Sequence, residues 1–384
     1  MAYRILHIAD VHLERPFAAM GCQGELARSR RLGLREVLRR AGEAASERRC
    51  QAVTIGGDLF EDERAGVDTA RFLASTFSSW QPMRVFIAPG NHDPLLPHSI
   101  YARTDWPSNV HIFSEPVLTP VRLDEGLTLW GLAHLEPAWQ GDPLDCPDIG
   151  AEAAVHLALF HGAELGSRPD GKSIHGPFHM EDIRARGFAA ALCGHYHRQR
   201  LDTAGGLIYP GSPEPLTFDE SGARGAVLVS VEPSGRVGFE ALALNRWSAV
   251  SISCSLEGVQ TMTSAIDRAC AAALAATAGM APQRTIVRID LEGEVTCDVA
   301  VDLYTLERAV RDATDLAVVR ARDFTHPDLD GEKIAEEPSA RGEFARQILA
   351  ALAEEGETGE RRSLLNEALR YGLQAMSGVE VGLR

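Results

Sequence analysis

Five short segments of this chain place oxygen and nitrogen donors in an ordered series. They are Ala9-Asp10-Val11-His12, Gly56-Gly57-Asp58-Leu59-Phe60, Gly90-Asn91-His92-Asp93, Phe160-His161-Gly162 and Gly194-His195-Tyr196-His197. Any one alone is weak evidence, because a lone histidine after a strand is more often an ordinary core or surface group than a ligand. Five in one stretch of chain are not explained that way. Carboxylate, amide carbonyl and imidazole together suit manganese, iron or zinc, and the set contains no thiolate. Asp-x-His and His-x-His each send two side chains to the same side of an extended strand end, so one pair can clamp one ion. A carboxylate has two oxygens and can bridge two ions, and Asp58, in a Gly-flanked turn, is the natural bridge. Gly57, Gly90 and Gly194 would let backbone come close there, although each also reads as an ordinary turn glycine.

Two such ions lower the pKa of a shared water, hold a phosphate oxygen and stabilise charge on phosphorus during in-line attack. The expected chemistry is phosphoester hydrolysis. His92 directly follows Asn91 and would point past the ions toward the leaving group, where it can donate a proton or stabilise the departing oxygen. Other catalytic plans lack their motifs: there is no Gly-x-Ser-x-Gly elbow, no Gly-x-x-x-x-Gly-Lys loop and no dinucleotide fingerprint.

The elements that must hold these donors are legible as short apolar runs. Strands are expected at Tyr3–Ala9, Gln51–Ile55, Arg84–Ala88, Thr128–Leu132, Val155–Phe160, Ala189–Leu192, Gly206–Tyr209 and Ala226–Val231. They alternate with helical patterns, which is the mark of an α/β protein whose reactive groups gather at the carboxyl ends of strands. Leu26–Ser46 reads as a helix with Leu32, Leu34, Val37, Leu38 and Ala41 toward the sheet. Its stripe of Arg28, Arg31, Arg35 and Arg39 is a solvated face or, in a sharper reading, a phosphate or partner contact. Near Leu242–Trp247 the pattern shifts to a small α+β unit. Its strands are expected at Ser248–Ser255, Thr285–Leu291 and Ala317–Arg322, and its helices at Val259–Ala278 and Val301–Thr314. A polar stretch, Thr325–Ser339, then precedes two helical patterns, Gly342–Glu354 and Arg361–Met376, separated by the acidic Glu355–Glu360. The domains expected are therefore 1–244, 245–324 and 325–384, the last either a closing hairpin or a partner-docking element.

A chain of 384 residues is too long for one small core, and 45% hydrophobic with 24% charged residues excludes disorder and low complexity. Seven cysteines, at 22, 50, 146, 193, 254, 270 and 297, show no CxxC, which argues against a zinc knuckle or a disulfide framework. The net charge of −16 divides evenly, with 23 basic against 31 acidic residues in 1–244 and 15 against 23 in 245–384. Neither part is a basic module, so any contact with DNA must use a local patch or bound metal. The longest uncharged stretch, Ala269–Gln283, falls short of the ~18 to 20 apolar residues of a membrane span. Arg4 and Asp10 interrupt the first apolar run, so a cytoplasmic location without membrane contact is expected.

Taken in order, the five segments resemble the calcineurin-like metallophosphoesterases over residues 3 to about 232. The resemblance implies an α/β fold, a four-layer α-β-β-α sandwich of two packed mixed sheets flanked by helices, and two divalent ions. These are commonly manganese, with iron, zinc or magnesium as alternatives. It assigns Asp10, His12, Asp58 and His197 to one ion and Asp58, Asn91, His161 and His195 to the other. Further stretches are similar to the SbcD and YhaO-type DNA repair exonucleases: Leu6-His7-Ile8-Ala9-Asp10-Val11-His12-Leu13, Pro16-Phe17, Gly187-Phe188, Tyr209-Pro210-Gly211-Ser212-Pro213-Glu214 and Phe218-Asp219-Glu220. That branch implies a homodimeric nuclease acting on DNA, a smaller α+β cap, and C-terminal helices attached to the coiled coil of an SMC-like ATPase.

One position departs from the branch. Where its nucleases often carry a histidine three residues after the bridging aspartate, this chain has Glu61, followed by Asp62 and Glu63. An acidic run beside a DNA phosphate is unfavourable unless it faces away or is neutralised, and it could instead cap the next helix. The expected function is thus a two-metal DNA nuclease, with a phosphodiesterase or phosphatase for a small substrate as the alternative.

Overall fold

The computed structural model describes residues 2–145, 149, 155–168, 171, 173–296, 301–354 and 359–376. Cys146, Cys297 and residues 355–358 of the expected acidic separator lie outside them. The chain forms two compact units, residues 1–250 with 284–286, and residues 251–283 with 287–384.

The first unit opens with β1 (Tyr3–Ile8), α1 (Gly24–Glu47), β2 (Ala52–Ile55), α2 (Val67–Ser79), β3 (Arg84–Ile87), the short α3 (Ile100–Arg103) and β4 (Val110–Ile112). It continues through β5 (Thr119–Asp124), β6 (Leu127–Gly131), β7 (Val155–His161), two-residue β8 (Ala163–Glu164) and β9 (Pro177–Phe178), and α4 (Met180–Ala185). It closes with β10 (Ala190–Gly194), β11 (Arg200–Asp202), β12 (Leu207–Tyr209), β13 (Gly225–Val231) and β14 (Val237–Ala243).

These strands make two six-stranded mixed sheets, ordered β14-β13-β1-β2-β3-β4 and β11-β12-β10-β7-β6-β5. Neighbours β1, β2 and β3 are parallel, in register Leu6 to Val53 and Val53 to Val85. So are β6, β7 and β10, with Leu157 beside Leu129 and Ala190. Parallel strands covered on both faces need apolar residues at every position, which is why β7 is buried along its whole length. The inner faces meet in one core in which Ile5, Phe86 and Val229 of the first sheet pack with Leu129, Leu157 and Ile208 of the second. On the outer face of the second sheet, Phe160 and Tyr209 pack with Phe178, Ile183 of α4 and Phe188. On the outside of the first sheet α1 presents Leu34, Val37, Leu38 and Ala41, all buried, whereas Leu32, also expected toward the sheet, lies off that face and is 52% exposed. The arginine stripe of α1 is only partly a solvated face. Arg35 donates to Glu14 at 2.6 Å, and the guanidinium groups of Arg35 and Arg39 lie 5.0 and 4.9 Å from the Phe72 ring of α2.

The chain continues with β15 (Ser248–Ser255) and β16 (Thr285–Glu292), whose first residues belong to the first unit, and with α5 (Met262–Ala276), β17 (Glu294–Thr296), α6 (Leu303–Thr314), β18 (Val318–Asp323) and β19 (His326–Asp328) of the second. Strands β15, β16 and β18 form one sheet, and β17 pairs with β19. Thr261 and Ser264 exchange the reciprocal hydrogen bonds that cap α5. The stretch Thr325–Ser339, expected only as a polar stretch, holds β19 and α7 (Gly331–Ala335), begun by the Asp330 side chain on the Lys333 N–H. The last helices are α8 (Ala340–Glu354) and α9 (Glu360–Met376), which close with α7 over Ile334, Ala345, Phe344, Leu369 and Leu373.

Candidate metal centre

All five donor segments sit at or just past the carboxyl ends of parallel strands, three on the first sheet and two on the second. Asp10 and His12 follow β1, Asp58 follows β2, and Asn91 and His92 follow β3. His161 ends β7, while His195 and His197 follow β10. The loops are laced together by backbone: the Asp10 N–H donates to Gly57 O at 3.1 Å, and the His12 N–H donates to Asp58 O at 2.9 Å. Gly90 and Gly194 are close approaches. A Cβ at Gly90 would lie 2.5 Å from Asp58 Oδ1, and one at Gly194 would lie 2.1 Å from Gly56 O.

The local backbone corrects one expectation. β1 stops at Ile8, and Asp10 and His12 are not at an extended strand end; their φ angles are 53° and 51°. Asp58 (51°) and His195 (114°) share this positive-φ region, which costs a side-chain-bearing residue on the order of 1–3 kcal/mol. Tight turns, rather than period-two projection, aim these side chains.

The donors converge. Ligand atoms of Asp10, His12 and His197 all lie within 4.8 Å of one another, as do those of Asp10, Asp58 and His161. Asp58 Oδ2 is 3.5 Å from His12 Nε2 and 3.4 Å from His161 Nε2. His161 Nε2 is 3.0 Å from Asn91 Oδ1 and 3.3 Å from His195 Nδ1. The rings of His12 and His197 stand 5.1 Å apart, and those of His12 and His92 4.7 Å apart.

Each imidazole is anchored by its far nitrogen. His12 Nδ1–H donates to Glu61 at 2.9 Å, His197 Nδ1–H to Glu220 at 2.9 Å, His161 Nδ1–H to Gly56 O at 2.9 Å, and His195 Nε2–H to Ser173 O at 3.0 Å. The inward nitrogens are then lone pairs. With the outer nitrogens donating, His161 Nε2 of the neutral ring turns a lone pair toward His195 Nδ1 and the Asp58 carboxylate, and buried His12 Nε2 has no hydrogen-bond partner. A cluster of acceptors at such distances repels itself unless a cation lies among them, and outward N–H bonds to carboxylate or carbonyl are how proteins orient imidazole ligands. The residues fit divalent cations.

The protonation states agree. Burial is the largest influence on His161 and pushes its pKa well below the ordinary value, leaving the ring neutral as a ligand must be. Burial would raise the Asp58 carboxyl, but the charged His92 ring and the His92 backbone N–H on Oδ1 draw it down.

His92 is arranged differently. Its side chain is 41% exposed, its backbone N–H donates to Asp58 Oδ1 at 2.9 Å, and its Nδ1–H donates to Glu61 Oε2 at 2.8 Å. Burial lowers its pKa, but the Glu61 hydrogen bond and the Asp58 charge raise it further, to about 9. The ring is therefore a charged donor beside the cluster.

Several functional residues carried no readable role in the sequence. Glu61 takes His12 on one oxygen and His92 on the other, so it is a clamp between two imidazoles. Its doubly bonded carboxylate is held well below the usual range by those two rings, against burial. Glu220 fixes His197 and also accepts from Ser212 Oγ at 2.5 Å and the Leu216 N–H at 2.9 Å. Asp93 accepts from the N–H groups of Asp58, Leu59 and Gly90 at 2.9, 2.7 and 2.7 Å and from the Tyr101 hydroxyl at 2.7 Å, tying the β2 and β3 turns together. His134, just past β6, supports His161 by donating to its carbonyl at 2.8 Å. The spacing of Glu61 from Asp58 and the acidic Phe218-Asp219-Glu220 segment were the available signals for the first two.

Comparison with known proteins places this geometry. Residues 3–199 match the family model described as calcineurin-like phosphoesterase. The chain is 27% identical over 245 residues to the uncharacterized metallophosphoesterase YhaO of Bacillus subtilis (strain 168), covering 61% of this chain and 59% of that protein. It is 28% identical over 276 residues to the DNA double-strand break repair protein Mre11 of Methanopyrus kandleri, covering 62% of this chain and 56% of that protein. The matches thus span well under two thirds of either relative. With over half its length matched and its acceptor cluster built from both sheets, the chain belongs to the calcineurin-like phosphoesterase family.

Proposed function

We propose that this chain hydrolyses phosphodiester bonds in DNA as the nuclease subunit of an end-processing and repair assembly. The observation that carries the hydrolase reading is the set of inward lone pairs on His12, His161 and His195 around Asp58, each ring fixed from outside. In this reading Asp10, His12, Asp58 and His197 hold one cation, and Asp58, Asn91, His161 and His195 the other, with manganese the preferred metal. When bound, such a pair activates water and neutralises charge on the phosphoryl oxygens. The chain's own part is to orient and to move a proton. Glu61 holds His92 by Nδ1, which leaves Nε2–H free to protonate the leaving oxygen.

The nucleic-acid assignment draws on the similarity to the Mre11 of Methanopyrus kandleri and on the neutralisation of Glu61 by the charged His92 and, at 3.5 Å, Arg15. Residues 245–324 serve in this reading as a capping domain, and the chain works as a homodimer in the cytoplasm. The α8–α9 pair, with Leu364 65% exposed, docks an SMC-like ATPase. No helix among the described residues is long and apolar enough to cross a membrane.

The second reading is a phosphodiesterase for a small ester, favoured by the net charge of −16. A labelled DNA end and bis-p-nitrophenyl phosphate, each assayed with manganese, separate the two. Release of nucleotides supports the nuclease, and hydrolysis of the small ester alone overturns it. Asp58→Asn is expected to abolish both activities while leaving the circular-dichroism spectrum intact.

A further inference from the structure

The two candidate cation sites draw unequally on the two sheets. Of the four donors proposed for one ion, Asp10, His12 and Asp58 follow β1 and β2, and only His197, after β10, comes from the second sheet. The other ion takes two donors from each sheet, Asp58 and Asn91 against His161 and His195. The imidazoles of that second set are anchored on backbone carbonyls, those of Gly56 and Ser173. His197 is anchored on a side chain, the Glu220 carboxylate. A side-chain anchor holds a ring only as well as it is itself held.

Arg224 reaches both His197 and its anchor. It directly precedes β13 of the first sheet, where its N–H donates to Asn245 Oδ1 at 3.0 Å. Its carbonyl accepts the N–H groups of Leu244 and Asn245, just past β14, at 2.7 and 3.0 Å. The side chain then crosses to the loop of the second sheet. Nε donates to Ser212 O at 2.9 Å, while Nη2 donates to His197 O and, at 2.8 Å, to Ser212 Oγ. The Ser212 hydroxyl donates in turn to Glu220 Oε2 at 2.5 Å, and Glu220 Oε1 accepts from His197 Nδ1 at 2.9 Å. One guanidinium thus meets His197 twice, directly at its carbonyl and through two side chains at its ring. Arg224 is 7% exposed, and its Nη2 stands 3.5 Å from Glu220 Oε2. Opposite charges that close largely cancel at longer range, so what Arg224 gives a nearby cation is direction rather than charge.

We infer that Arg224 is a positioning residue for one cation site: it registers the single second-sheet donor, His197, against the three donors of the first sheet. The inference rests on the two-cation reading above and goes beyond it, because it makes the two sites separable. A planar fork that serves two carbonyls and a hydroxyl has no equivalent in an apolar chain of similar length. Loss of an outer partner of an imidazole ligand costs about 10–100-fold in metal affinity.

Manganese titration of the full chain, followed by calorimetry and by electron paramagnetic resonance, tests it. The unaltered chain should take two ions and give the spectrum of an exchange-coupled pair. Arg224→Met should weaken one ion at least tenfold and the other less than twofold, so that at intermediate manganese the spectrum is that of an isolated ion. Ser212→Ala, which removes only the hydroxyl relay, should weaken the same ion by a smaller factor, and it carries the test alone if Arg224→Met does not fold. In a His197→Ala background, where that ion is already lost, Arg224→Met should change nothing further. Unchanged affinities in either variant overturn the inference. So does an equal loss at both sites in step with a lower urea midpoint, the mark of a residue that only stabilises the fold. Failure of the two-cation reading looks different: the unaltered chain itself takes fewer than two manganese ions.

Discussion

At Glu61 a single carboxylate faces two imidazoles, 2.9 Å from His12 Nδ1 and 2.8 Å from His92 Nδ1, and so sets the donor direction of both rings at once. Glu61→Gln keeps the shape but replaces one acceptor oxygen with an N–H donor, so one ring must lose its anchor. Loss of an outer partner of an imidazole ligand costs about 10–100-fold in metal affinity or activity; both kcat and manganese affinity should fall, as read by turnover and metal titration. His92→Ala should separate the two effects, with manganese stoichiometry retained while kcat drops about 10²–10⁴-fold, the usual worth of a positioned acid. A variant that binds manganese and keeps full turnover removes His92 from the proton transfer. The donor types and their order could be read from sequence because metals accept few side-chain kinds. The role of Glu61 could not be read, because it depends on two rings from separate loops meeting one carboxylate. Nor does Glu61 cap the next helix, since α2 begins at Val67 after Gly66.

Between elements, the sharpest constraint is the contact of α1 with Trp80. Alanine ordinarily stabilises a helix interior by about 1 kcal/mol over glycine, yet a Cβ at Gly42 would sit 2.0 Å from Trp80 Nε1 and 2.3 Å from Cε2. Packing wins over propensity here. Gly42→Ala should destabilise the chain by about 1–3 kcal/mol, the range for overpacking a filled interior, and urea titration gives the sign directly. Strands β1, β2, β3, β7 and β10 were all anticipated to within two residues at either end, because parallel strands buried on both faces are continuous apolar runs. The strands that went unread are at the margins. β5 alternates half-buried and exposed residues, β4 has only three residues, and much of β14 is exposed, so none presents an uninterrupted apolar signal. The left-handed turns at Asp10, His12 and Asp58 escaped for another reason: nothing in residue type distinguishes a strained turn from a strand end.

For the molecule as a whole, two titrations of stability follow. Glu214, 1% exposed, accepts the N–H groups of Arg246 at 2.7 Å and Trp247 at 3.1 Å. Burial is the dominant influence and raises its pKa from 4.5 to about 7, against these bonds and the nearby Arg30. The folded chain therefore holds this proton more tightly than the unfolded chain. Its contribution is full below pH 4.5 and is lost as pH rises through about 7. Glu214→Gln should flatten the fall in unfolding free energy between pH 5 and 8, a difference on the order of 3 kcal/mol for a shift of this size. Manganese should act in the opposite sense at fixed pH, adding about 2.7 kcal/mol per site at a hundredfold excess over Kd. EDTA should reverse that gain, and Asp58→Asn should fail to show it. The donors arrive from both sheets, beginning at Asp10 and finishing at His197. During synthesis, then, a ribosome must have released the first 197 residues, just over half of this sequence, before the last imidazole is available, and earlier nascent chains would hold a divalent cation only loosely. Cation capture becomes a late event in biogenesis, a checkpoint that only a chain with both sheets mated can pass.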